Sequence, residues 1–189
     1  MPIHYQVETW SSIIKKTLKL CKKVEESGFR PDIIVSILRG GAVPAAIFSD
    51  YFGVKDIAPI RIVFYKRVSE TSEQPQIVHP LTIDVSGKNV LIVDDVADTG
   101  KTLKLALEHV KSKNAKEVKI ATIHLKPWSI LVPDFFIETT DKWIVYPWEY
   151  HEFIKEMTER LTKGELKGED AERAKEALNE IKAILAGLI

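Results

Sequence analysis

Val90-Leu91-Ile92-Val93-Asp94-Asp95-Val96-Ala97-Asp98-Thr99-Gly100-Lys101-Thr102-Leu103 is the stretch that decides the reading of this chain. Val90 to Val93 is an apolar run with the pattern of a strand buried on both faces. Two carboxylates, Asp94 and Asp95, stand where such a strand is expected to end. A small polar turn follows, Asp98 to Thr102. Helical spacing then begins with Leu103, Ala106, Leu107 and Val110. Strand, acidic pair, short loop and helix together suit a polyphosphorylated sugar and a hard cation. Loop amides at a helix N-terminus meet phosphate where the helix dipole favours negative charge. Carboxylates take Mg²⁺ or sugar hydroxyls through oxygen.

Two other readings compete. Gly100-Lys101-Thr102 looks like the end of a P-loop, but that motif needs a glycine five positions before Gly100. Asp95 holds that position, so the P-loop reading fails. An ordinary strand-to-helix turn, with Asp94 or Asp98 capping the helix, would account for a lone Asp-Thr-Gly. It does not account for two adjacent carboxylates closing a buried strand, which are costly without a ligand or partner.

Composition narrows the class. A length of 189 residues and 45% hydrophobic content fit one globular domain with an appendage. Lys and Arg number 27, Asp and Glu 27, and no long basic run stands out, which argues against a nucleic-acid partner. No apolar run reaches the length of a membrane span. Met1-Pro2-Ile3-His4-Tyr5 lacks the regions of a signal peptide. The single cysteine, Cys21, excludes an internal disulfide and reads as a small core residue. A reducing cytoplasm is the expected compartment.

Outward from the central stretch, strands alternate with helices. Thr9 is expected to cap a helix running to about Glu26 and closed by Gly28. Strands are expected at Asp32 to Leu38, Pro59 to Tyr65, Gln76 to Ile83, Glu117 to Leu125, Phe135 to Glu138 and Trp143 to Tyr146. A helix is expected from about Val43 to Phe52, and an exposed polar loop from Lys66 to Pro75. This alternation implies a parallel sheet with helices on both faces. Sites in such sheets lie beyond the carboxyl ends of the strands.

Three further segments carry chemistry. Leu38-Arg39-Gly40-Gly41 follows the first of these strands; its glycines let amides approach an anion, and Arg39 adds a planar fork suited to phosphate. Lys126-Pro127-Trp128 ends the strand Glu117 to Leu125. Trp143-Ile144-Val145-Tyr146-Pro147-Trp148-Glu149 follows shortly after. Taken singly, an exposed arginine in a turn, a solvated lysine and a core tryptophan would be ordinary. Beside the acidic stretch they form a joint pattern.

That pattern, over roughly Tyr5 to Phe153, resembles the type I phosphoribosyltransferases, especially those acting on 6-oxopurines. The resemblance implies an α/β fold. Its central, mostly parallel sheet would be flanked by helices, with a small hood. It implies a catalytic domain over 1–153 and a helical extension over 154–189. Asp94 and Asp95 would meet the ribose hydroxyls and the metal, Mg²⁺. Ala97, Asp98, Thr99, Gly100, Lys101 and Thr102 would bind phosphoribosyl pyrophosphate around its 5-phosphate, with Asp98 also near the base. Arg39 and Gly40 would meet the pyrophosphate, and the Leu38–Arg39 peptide would be cis as in relatives. Tyr65 and Lys66 would close over it, although Phe64 replaces the serine that relatives often pair with the tyrosine. Lys126 would donate to the oxygen on C6 of the base, Trp143 would stack on the purine, and the Ile144 carbonyl would accept from the 2-position. Glu149 would help hold a second metal or its waters.

The implied activity is transfer of the 5-phosphoribosyl group to N9 of hypoxanthine, guanine or xanthine, releasing pyrophosphate, by a cytoplasmic homo-oligomer, dimer or tetramer. A regulator that senses phosphoribosyl pyrophosphate without catalysis is the alternative of another class, and a transferase for another base is a third reading. Beyond the resemblance, Asp170 is expected to cap a last helix. Ala171, Ala174, Leu178, Ile181, Leu185 and Leu188 give that helix a narrow apolar seam needing a partner surface.

Overall fold

The computed structural model describes residues 3–65 and 74–187. The chain divides into two compact units, residues 14–140, and residues 1–13 together with 141–189. Helix α1 (Trp10–Glu26) begins in one and ends in the other. The Thr9 hydroxyl accepts the Ser12 N–H at 3.1 Å, the cap expected of it.

The larger unit is built on a six-stranded sheet with the order β4-β3-β2-β5-β6-β7. Its strands are β2 (Ile33–Leu38), β3 (Ile57–Tyr65), β4 (Gln74–His79), β5 (Asn89–Ala97), β6 (Glu117–Leu125) and β7 (Phe135–Thr139). Neighbours run parallel except β3 and β4, which are antiparallel. The β5 sequence shows why helices cover both faces. Val90 and Ile92 join a core with Leu103, Ala106 and Val110 of α3 (Lys101–Lys111). Leu91 and Val93 join another with Leu20, Cys21 and Val24 of α1 and Ala45 and Phe48 of α2 (Ala42–Phe52). Burial pushes the Cys21 thiol up to about 12, which suits a core residue and not a nucleophile. Lys16 of α1 reaches across to fully buried His124 of β6 at 3.1 Å and to Glu138 of β7 at 2.6 Å, tying the helix to two strands.

Several expectations need correction. The acidic pair lies within β5, not at its end, because the ladder to β6 continues through Asp94↔Thr122, Val96↔His124 and Ala97↔Leu125. The ladder to β2 stops at Ser36↔Val93. β4 starts and stops earlier than expected; Pro75 is tolerated because β4 is an edge strand, and Ile83 lies beyond it. Residues 66–73 of the expected loop, with Lys66, lie outside the described residues.

The other unit holds a separate two-stranded parallel sheet of β1 (Tyr5–Val7) and β8 (Trp143–Val145). The strand expected at Trp143 to Tyr146 therefore belongs to this sheet and not to the main one. β1, three residues long, was too short to show a period. A 3-10 turn (Pro147–Glu149) leads into α4 (Tyr150–Thr162), and α5 (Gly168–Ala186) follows. The division expected between 153 and 154 falls inside α4. The seam of α5 finds its partner in its own unit: Ala174, Ala177, Leu178 and Ile181 are buried with Val145, Tyr150, Phe153 and Met157. Asp170 is not a cap. It lies in the first turn of α5 and accepts the Ile3 N–H at 3.0 Å. Leu188 lies outside the described residues.

Ile181 is fully buried in that core. Ile181→Ala is expected to cost about 2–5 kcal/mol and to lower the melting point by roughly 5 °C or more. Base preference should be unchanged. An unchanged melting point with activity lost would place the extension in the chemistry instead.

Candidate active site

The sheet order places a topological switch between β2 and β5. The chain leaves β2 toward β3 on one side and leaves β5 toward β6 on the other. In open parallel sheets such a point leaves a crevice beyond the carboxyl ends of the strands. Here the two flanking segments are Arg39-Gly40-Gly41 after β2 and Asp98 to Thr102 after β5.

A cleft of about 380 Å³ occupies this position, lined by Phe64, Asp94, Asp95, Val96, Asp98, Thr99, Gly100, Thr102 and Leu103. Asp94 and Asp95 are 8% and 7% exposed. The Asp94 Oδ1 accepts the Asp95 N–H at 3.0 Å. The two carboxylates are thus withdrawn from water while still lining an open cleft. The Leu38–Arg39 peptide is cis, as expected. A Cβ on Gly40 would stand 2.2 Å from the Asp95 Oδ2, and one on Gly41 would stand 2.3 Å from the Val93 carbonyl oxygen. Only glycines allow the loop after β2 to lie this close to the acidic strand. Arg39 is exposed beside them.

The loop after β5 ends on Gly100, with φ +79°, the residue before the first turn of α3. Lys101 and Thr102 begin that helix, whose first amides lack intrahelical acceptors and point toward the cleft end of the helix. A second constraint comes from the segment after β6. The Lys126 N–H donates to the Ala97 carbonyl at 2.9 Å, and the Ile130 N–H to the Thr99 carbonyl at 3.1 Å. A Cβ on Gly100 would meet the Leu131 nitrogen and the Ser129 Oγ, each at 2.7 Å. Residues 126–131 are therefore laced onto the loop that follows β5. Sequence reasoning missed this contact, since nothing in the local pattern announces it.

Gly100→Ala should accordingly distort the loop from two directions, through the left-handed backbone and through the collision with Leu131. We expect the Kd for phosphoribosyl pyrophosphate, measured by calorimetry, to rise more than about tenfold for the strain and lost amide geometry together. An unaltered Kd would show that the loop is not the phosphate site.

Of the remaining expected site residues, Lys126 is 7% exposed at the end of β6, and Tyr65 is 51% exposed at the end of β3. Phe64 lines the cleft. Trp143, 62% exposed, Ile144, buried, and Glu149, half-buried, belong to the smaller unit. A second hollow of about 420 Å³ lies at the amino ends of β6 and β7, lined in part by Lys119 and Asp134. Those two charges pair at 3.1 Å, and the carboxyl-end rule places no site there.

Among the described residues no helix is long and apolar enough to cross a membrane. The cleft offers carboxylate oxygens to accept from sugar hydroxyls and loop amides to donate to phosphate, on a mostly parallel sheet covered on both faces. The chain belongs to the phosphoribosyl transferase domain family, whose profile matches residues 5–153. It is similar to the purine phosphoribosyltransferase from Pyrococcus horikoshii Ot3, at 41% identity and a TM-score of 0.71, over 77% of this chain and 94% of that one. It is also similar to the xanthine-guanine phosphoribosyltransferase of Nitratidesulfovibrio vulgaris strain Hildenborough, 32% identical over 75% of this chain and 82% of that protein. The hypoxanthine-guanine phosphoribosyltransferase of Schizosaccharomyces pombe is 30% identical over 84% of this chain and 96% of its own length.

Proposed function

We propose that this chain is a purine salvage enzyme. It transfers the 5-phosphoribosyl group from phosphoribosyl pyrophosphate to N9 of a 6-oxopurine and releases pyrophosphate. The observation that carries this reading is Lys126. It is a buried lysine just after β6 whose backbone N–H donates to the carbonyl of Ala97, the last residue of the acidic strand, which supports assigning its ammonium to the base beside the cleft. An ammonium suits a 6-oxo group; adenine's 6-amino group would face it donor to donor.

In this reading the loop Ala97 to Thr102 binds the 5-phosphate, Arg39 and Gly40 the pyrophosphate, and Asp94 and Asp95 the ribose hydroxyls. Tyr65 and Lys66 close over the leaving group. The Asp94 and Asp95 carboxylates favour the positive charge that develops at C1 as the bond to pyrophosphate breaks. Asp98 accepts the N7 proton of the base, directly or through water. Trp143 stacks on the purine and the Ile144 carbonyl meets its 2-position. Asp94 and Asp95 offer hard oxygen ligands that fit Mg²⁺, and Glu149 would help hold a second metal or its waters. When bound, the ion neutralises charge on the leaving pyrophosphate. A cytoplasmic homo-oligomer completes the reading; Ile14 and Leu18, exposed one turn apart on α1, are apolar side chains that a partner subunit would cover.

A pyrophosphate-release assay tests this. With phosphoribosyl pyrophosphate, Mg²⁺ and hypoxanthine, guanine or xanthine, pyrophosphate should accumulate, and chelating the metal should stop it. Tight binding of phosphoribosyl pyrophosphate with no release on any base would favour the non-catalytic sensor.

A further inference from the structure

We propose that Trp128 is a positioning residue that holds the Asp98 carboxylate in place. This rests on the reading of Asp98 as proton acceptor given above.

Trp128 is 53% exposed, in the turn that follows β6. Its indole is not there to fill a core. Its Nε1–H donates to the Asp98 Oδ1 at 3.0 Å, and its ring lies 5.5 Å from the Lys126 Nζ, within cation–π range. One side chain therefore touches both the group assigned to the N7 proton and the group assigned to the 6-oxo oxygen. The turn that carries it is fixed at several points. The Ser129 N–H donates to the Lys126 carbonyl at 3.0 Å, and the Ile130 N–H to the Thr99 carbonyl at 3.1 Å. The Ser129 Oγ donates to the Leu131 carbonyl at 2.8 Å.

Asp98 itself is exposed, on an irregular loop where its carboxylate would otherwise sample several rotamers. A bond from a rigid indole to Oδ1 selects one orientation. It leaves Oδ2 for the base. Because the donor is neutral, it fixes the carboxylate without supplying a competing positive charge. Lys126 and Asp98 are thereby referenced to one rigid ring, and the distance between the two polar recognition points of the purine is set by that ring and not by two separate loops.

Trp128→Phe keeps the ring and removes the donor. At a half-exposed position it should fold, with a melting point close to the parent's. We expect single-turnover rates with hypoxanthine to fall about tenfold, the scale of a hydrogen bond to a charged group, while the KM for phosphoribosyl pyrophosphate stays within about twofold. The discriminating arm is a double-mutant cycle. In an Asp98→Asn background the Phe substitution should change the residual rate by less than about twofold, since the carboxylate it orients is gone. The same loss in both backgrounds would make Trp128 a loop support only and overturn the proposal, as would a Phe variant as fast as the parent. A parent chain inactive on every 6-oxopurine would instead overturn the functional reading, and the proposal with it.

Discussion

Replacing Asp94 and Asp95 together by Asn should lower turnover by at least about 10²-fold, the usual scale when electrostatic stabilisation of a developing charge is lost. The substitution is nearly isosteric, so the packing of β5 between β2 and β6 survives. The two carboxylates are 8% and 7% exposed, so the strand holds both partly out of water. Burying a charged group costs more than burying a neutral one of the same shape. The double variant should therefore melt no lower than the parent, as expected where a site keeps costly charges for function. Circular dichroism melts and steady-state turnover, measured together, check both halves. Near-normal turnover would defeat the assignment of the pair.

The second large effect concerns base choice. Lys126 is 7% exposed, so a base that fails to accept from it leaves an ammonium facing another donor in a confined site. Discrimination of at least about 10³-fold between hypoxanthine and adenine in kcat/KM is expected, since sites built around a buried polar group reject analogues that leave it unpaired. Lys126→Gln should narrow that gap, because a carboxamide presents either a donor or an acceptor. Adenine as the best substrate of the parent chain would show that Lys126 does not read the base.

Much of this site was legible because its parts lie within single segments of sequence. Val90 to Leu103 carries a buried strand, an acidic pair, a loop and a helix in unbroken order, and β5 and α3 follow it closely. Arg39-Gly40-Gly41 reads as an anion loop, and the structure brings its glycines against the acidic strand, where a Gly40 Cβ would collide with Asp95. What escaped the sequence was long-range. The pairing of β1 with β8 joins segments far apart in the chain, each only three residues long, so neither shows a period. The lacing of residues 126–131 onto the loop after β5 depends on two strand ends lying side by side, which no local pattern encodes. The bond from Trp128 to Asp98 belongs to the same class. Its only signal was a Pro-Trp turn directly after a strand-ending lysine. Asp170 was read as a cap from its residue type, yet the helix begins at Gly168, which places the aspartate inside the first turn.

The most direct test of the account is the identity of the product. The chain would be incubated with phosphoribosyl pyrophosphate, Mg²⁺ and hypoxanthine, and the mixture resolved by chromatography with mass detection. The account predicts the N9-linked nucleoside 5′-monophosphate and pyrophosphate in equal amounts, each appearing only when base and phosphoribosyl pyrophosphate are both present. Phosphoribosyl pyrophosphate recovered intact with hypoxanthine, guanine and xanthine alike would contradict it.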